Sequence, residues 1–270
     1  MELYGSVIFC NFRGKYIKNM RKLSILCVVL ISCFALIDGK TVLFIGDSIT
    51  DGNWGSPNKY PCSSEERNKY DRNHILGHGY AEMSAGYFMG EYPDSGFYFI
   101  NRGISGETLG QIAARWQKDA IAHTPDIVSL LCGTNDIHYW LEGAPSSIEE
   151  FNFESYVNTL DSLVISTKEA LPECKILLCT PFVGKAGWAG NKADYTLREA
   201  AVDSIASLTR RVVSKHSNQN VHLVDFNQLK GKLKQENPDT EYWIWDGIHP
   251  TTAMHYRMAK EWISQLEDFK

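Results

Sequence analysis

Five short apolar runs constrain this chain more than any other feature. They cover residues 41–45, 98–101, 127–131, 175–179 and 221–224. Each is continuous rather than alternating, and rich in aliphatic and β-branched side chains, as strands covered on both faces tend to be. Amphipathic stretches separate them at 80–90, 109–123, 151–171 and 192–215, and a last one at 252–266 closes the chain. This alternation predicts an α/β fold, a doubly wound parallel sheet with right-handed crossovers. No internal repeat and no linker rich in Pro, Gly or Ser breaks the pattern. Residues 40–270 therefore read as one domain.

Residues 1–39 read as an N-terminal extension followed by a leader. Met20-Arg21-Lys22 precedes an apolar run, Leu23 to Leu36. A basic start and a short apolar stretch are the marks of a secretory signal. The run is shorter than the roughly 20 residues of a membrane span. Met20 makes a better start than Met1, because residues 1–19 show no periodicity. Leu30-Ile31-Ser32-Cys33 resembles a lipobox, which would anchor the chain through a lipid on Cys33. Plain cleavage after Ala35 or Gly39 is the other outcome. A secreted or periplasmic location is expected in each case.

Charge narrows the function classes. The whole chain carries −5, yet residues 1–40 hold six basic and two acidic residues, so residues 41–270 carry −9. Phosphate backbones are bound by Lys and Arg that displace counterions, so no nucleic acid is expected as a partner. Of the seven cysteines, Cys10, Cys27 and Cys33 fall in the leader region, and Cys132 and Cys179 end apolar runs as buried thiols would. No CxxC pair or metal-ligand spacing is present. His74 and His78 are four apart but lack the Glu of a metalloprotease helix.

The strand ends carry the chemistry. The first strand runs into Gly46-Asp47-Ser48-Ile49-Thr50. There Ser48 stands near a helix N-terminus, whose free N–H groups can face an oxyanion; an N-cap role is the plainer reading of Ser48 by itself. The second strand ends in Asn101-Arg102-Gly103-Ile104-Ser105-Gly106-Glu107-Thr108, with two glycines that allow close approach. The third ends in Gly133-Thr134-Asn135-Asp136, where Asn135 can present an amide donor or form a turn. Before the last helix stands Asp246-Gly247-Ile248-His249-Pro250. A histidine acting as base for a hydroxyl needs an orienting acceptor, and Asp246, three residues earlier, can supply it. Asp47, Asp51 and Asp136 read as turn or cap residues rather than catalytic ones.

Taken together, these four segments resemble the sequence blocks of the SGNH (GDSL-type) hydrolases and span residues 46 to 250. The resemblance rests on Gly46-Asp47-Ser48, Gly106, Asn135, and Asp246 with His249; its one small departure is Ile49 where the signature has Leu. It implies a flavodoxin-like, three-layer α/β/α fold with a five-stranded parallel sheet in the order 2-1-3-4-5. It also implies a Ser48–His249–Asp246 triad, an oxyanion hole from the Ser48 and Gly106 amides with the Asn135 side chain, and no cofactor. No Gly-x-Ser-x-Gly elbow occurs, which disfavours the larger α/β-hydrolase fold.

Two long segments at the carboxyl side of the sheet, 51–79 and 181–191, carry aromatic and polar residues where ligands of open α/β sheets bind. Trp54, His138, Trp188 and Trp245 are the candidate substrate contacts, Trp245 and the nearby Trp243 being equally explicable as core. The expected function is hydrolysis of short acyl esters, acetyl above all, on a small molecule or a polysaccharide. A lysophospholipase or thioesterase of the same family is the alternative, and would need an apolar groove. A carbohydrate-binding lipoprotein without activity is a further one, opposed by the intact Ser, Gly, Asn, Asp and His.

Overall fold

The computed structural model describes residues 39–53, 62–69 and 72–266. Its strands are β1 (Thr41–Gly46), β2 (Tyr98–Asn101), β3 (Ile127–Leu131), β4 (Lys175–Cys179) and β5 (Val221–Val224). They form one sheet in the order β2-β1-β3-β4-β5, every pair parallel. The longer helices are α1 (Tyr80–Glu91), α2 (Leu109–Asp119), α3 (Thr134–Glu142), α4 (Phe153–Ala170), α5 (Tyr195–Lys215), α6 (Phe226–Glu236) and α7 (Thr252–Ser264).

The pleat of β1 sorts the core into two layers, because successive side chains point to opposite faces. Leu43 and Ile45 pack with α2, α3, α4 and α5. Val42 and Phe44 pack with α1, α6 and α7. The result is the three-layer α/β/α architecture, and it explains why the strands are continuously apolar rather than alternating. One polar thread crosses the second layer. Trp262 Nε1 donates to Ser129 Oγ at 2.9 Å in the middle of β3, and Thr50 and Tyr80 pair through their hydroxyls at 3.0 Å. Breaking such a buried pair leaves an unsatisfied group, at a cost of about 1–3 kcal/mol.

The strand positions match the apolar runs, but two helices lie outside the expected amphipathic stretches. Helix α3 starts inside the Gly133-Thr134-Asn135-Asp136 segment, where the chemistry of the turn masks the helix start. Helix α6 buries only Phe226, Leu229 and Leu233, a narrow stripe, and carries Gly231, which costs a helix interior about 1 kcal/mol. Its start is held by Asp225, which accepts from Gln228 N at 3.0 Å. Helix α2 ends earlier than its periodicity suggests, at Asp119, and Ile121–His123 continues as a 3-10 turn. Among the described residues no helix is long and apolar enough to cross a membrane. Residues 1–38, which hold nearly all of the expected leader with Cys33, and the aromatic Trp54 lie outside the described residues.

Candidate active site

The turn after β1 is set by Gly46. A Cβ there would lie 2.3 Å from Leu131 O and 2.5 Å from Thr50 Oγ1, so a larger residue would force β1 off β3. Asp47 then caps the single helical turn Ser48–Asp51, accepting from Ile49 N at 3.0 Å. Ser48 is thus the first helical residue and not the cap, which leaves its hydroxyl available for another partner. That partner is His249, whose Nε2 lies 2.8 Å from Ser48 Oγ. The serine is 8% exposed, sunk into the carboxyl edge of the sheet.

His249 comes from the loop before α7. Its Nδ1 donates to Asp246 Oδ2 at 2.7 Å, and its backbone N–H donates to Asp246 Oδ1 at 2.7 Å. Ile248 N donates to the same Oδ1 at 2.9 Å. Asp246 therefore fixes Nδ1 as the protonated ring nitrogen and leaves Nε2 as acceptor for the serine hydroxyl. Burial by itself would raise the Asp246 carboxyl, but the side-chain and backbone donors of His249, its charge and Ile248 N more than reverse this and hold it below the usual range. The arrangement can deprotonate Ser48 as it attacks and stabilise the imidazolium that results.

The turns after β1, β2 and β3 are tied to one another. Ser105 Oγ donates to Asp51 Oδ2 at 2.7 Å, joining the second turn to the first. Asn135 Nδ2 donates to Glu107 O at 3.1 Å, and both oxygens of Asp136 accept from Leu109 N at 3.1 Å, joining the third to the second. Asn135 is thereby brought against the Gly106-Glu107 turn. Gly106 has φ +85°, and the space its Cβ would fill is bounded by Tyr139 Oη at 3.3 Å. Burial pushes the Asp136 carboxyl up to about 6 although Leu109 N–H opposes the shift. Asp47 is a cap, as its sequence position suggests; Asp136 lies inside α3, whose N-cap is Gly133, and its carboxyl serves the first turn of α2 instead.

Asp51 does more than its turn position implies. It is fully buried and paired with Arg67, and its Oδ1 accepts from Ser64 Oγ at 2.6 Å. The described part of segment 51–79 is therefore partly a structural brace for the Ser48 turn. A buried acid facing a distant arginine leaves no local spacing signal, so the sequence could not pair Asp51 with Arg67.

The candidate substrate contacts separate into two groups. Trp245 is 52% exposed, and its ring lies 6.3 Å from that of His249 and within 21° of parallel. Trp243, by contrast, is buried and donates to Asn237 O at 3.0 Å, a core role. His138 and Trp188 touch one another, with ring centroids 5.7 Å apart. Behind them stands Arg198, a buried arginine that no motif or spacing singles out.

The model of the GDSL-like lipase/acylhydrolase family matches residues 44–257, from β1 into α7. An acetylxylan esterase of Geobacillus stearothermophilus is 31% identical over 229 residues, 84% of this chain and 94% of its own length. A multidomain esterase of Ruminococcus flavefaciens is 25% identical over 249 residues, and the match spans 28% of that protein. Among solved structures, a catalytic mutant of the acetylxylan esterase Axe2 of Geobacillus stearothermophilus has a TM-score of 0.67 at 27% identity, covering 85% of this chain and 94% of that one. With its parallel sheet in the order 2-1-3-4-5 and all four motif segments inside the matched region, the chain belongs to the GDSL-like lipase/acylhydrolase family of carboxylic ester hydrolases.

Proposed function

We propose that this protein is a secreted serine esterase that removes acetyl groups from carbohydrate. The observation that carries the reading is the hydrogen-bonded chain Ser48 Oγ–His249 Nε2 and His249 Nδ1–Asp246 Oδ2, at 2.8 and 2.7 Å. Ser48 Oγ adds to the ester carbonyl carbon as its proton passes to His249 Nε2. The carbonyl oxygen becomes an oxyanion, faced by the Ser48 and Gly106 amides and the Asn135 side chain. Collapse breaks the ester C–O bond, and His249 returns the proton to the departing sugar hydroxyl. Water, activated by the same imidazole, then releases acetate from Ser48.

The carbohydrate half rests on the acetylxylan esterase relative and on Trp245, whose exposed face beside His249 suits a sugar ring. Catalytic mutants of Axe2 replace a serine, an aspartate or a histidine, the last two three positions apart, as Asp246 and His249 are. Export rests on the basic start and apolar run of residues 20–36. The purified protein should hydrolyse p-nitrophenyl acetate faster than the octanoate and release acetate from acetylated xylan. Faster octanoate turnover, with no acetate from any acetylated glycan, would move the assignment to lipid or thioester substrates.

A further inference from the structure

The loop between β4 and α5 is built against the loop that carries Asp246 and His249. Gly184 N donates to Gly247 O at 2.9 Å, and Ala189 N donates to Asp246 O at 3.0 Å. Gly187 and Gly247 both have positive φ, and a Cβ on either would meet backbone of the opposite loop, at 2.4 Å from Asp246 Cα and 2.6 Å from Ala186 O. Only glycine permits this approach at both places. From the same loop, Trp188 Nε1 donates to Asp246 Oδ2 at 3.4 Å, the oxygen that also takes the His249 ring proton.

The indole is itself held. His138 packs edge to face with it at 76°. Lys192 Nζ stands 4.9 Å over its ring, a geometry in which a cation is attracted to the aromatic face. Behind His138, Arg198 Nη1 lies 3.4 Å from His138 Nδ1, and Arg198 is only 1% exposed. Arginine has no acceptor to offer, so His138 Nδ1 accepts and its proton sits on Nε2. Burial, and then the charge of Arg198, push the His138 pKa down, which keeps the ring neutral in this role. A ring already engaged by an ammonium and an imidazole is poorly placed to be a sugar platform, although 46% of it is exposed.

We infer that Trp188 is a positioning residue for the reaction, a fourth N–H donor that orients Asp246, with His138 and Arg198 holding the indole in place. The inference rests on the reading of Ser48, His249 and Asp246 as the catalytic residues. The donor draws charge from the carboxylate and fixes its plane, so its loss should misplace the acceptor and let Asp246 favour the imidazolium more strongly. Asp47 and the buried His255 also face His249, and substitution of Trp188 alters neither.

The test compares Trp188→Phe, which keeps an aromatic ring without the N–H, with Trp188→His, which retains a ring N–H. On p-nitrophenyl acetate, Trp188→Phe should lower kcat by about two- to tenfold, the worth of one hydrogen bond. KM should not change, and the acid limb of kcat/KM should move up by a few tenths of a pH unit. Trp188→His should recover part of both effects. In the parent protein, the Trp188 indole proton should also exchange with solvent more slowly than that of a free indole. An unshifted acid limb and unchanged kcat in Trp188→Phe, or a loss seen only as KM on polysaccharide, would overturn the inference, as would fast indole exchange. His249→Ala separates the two claims: full activity there removes the catalytic reading itself, whereas a dead His249→Ala beside an unaffected Trp188→Phe removes this inference alone.

Discussion

Two buried aspartates flank the same imidazole and behave in opposite ways. Asp47 lies in the turn before Ser48 and is 1% exposed; Asp246 lies in the loop before α7 and is 3% exposed. Burial drives the Asp47 carboxyl up to about 7, against the opposing Ile49 N–H and the charge of His249, and Asp136 adds to the rise. Asp246 is buried too, yet it ends below the usual range, because His249 and Ile248 supply donors to both of its oxygens. Depth alone does not decide which carboxylate is held in its charged form. The number of N–H groups aimed at the carboxylate does, since those stabilise the charged form that burial penalises.

Substitutions can break that comparison. Asp246→Asn should lower kcat by the order of 10³–10⁴, because an amide presents N–H to His249 Nδ1 and disfavours the tautomer that accepts from Ser48. Steady-state kinetics on p-nitrophenyl acetate would check it, and a loss of less than tenfold would contradict the assigned role. Asn135→Ala should cost roughly 10²–10³ in kcat with little change in KM, as a donor needed where charge develops. An effect confined to KM would make Asn135 a ground-state contact.

Asp47→Asn is the mildest of the three. Asn can still cap Ile49 N, so turnover should change only a few-fold near neutral pH. Stability is the sharper readout. The folded pKa of Asp47 is raised above the unfolded value of 3.8, so its contribution is complete below pH 3.8 and is lost as pH rises through about 7. The depressed Asp246 acts in reverse: its contribution is present above the unfolded value and lost as pH falls through its folded one. Between pH 4 and 7 the melting temperature of Asp47→Asn should therefore gain on that of the parent as pH rises. Equal slopes would show that Asp47 does not carry the raised carboxyl.

Much of this was legible in the sequence, for physical reasons. Strands β1 to β5 announce themselves because a sheet covered on both faces must be continuously apolar. Ser48 and Asn135 are ambiguous when read alone; with Asp246 and His249 they are selected because their segments, in order at the strand ends, resemble the SGNH hydrolase blocks. Helix α3 was hidden by the polar turn that starts it, and α6 by Gly231 and a three-residue apolar stripe. The braces were illegible altogether. Asp51 with Arg67, and Trp188 with Asp246, pair across 16 and 58 positions through loop packing, and no periodicity encodes that.

The central claim is that Ser48, activated by His249, is the nucleophile. A fluorophosphonate probe followed by peptide mass spectrometry tests it most directly. The account predicts one covalent adduct, on Ser48, absent from Ser48→Ala and formed far more slowly in His249→Ala. An adduct on another residue, or labelling of Ser48→Ala at the parent rate, would contradict it.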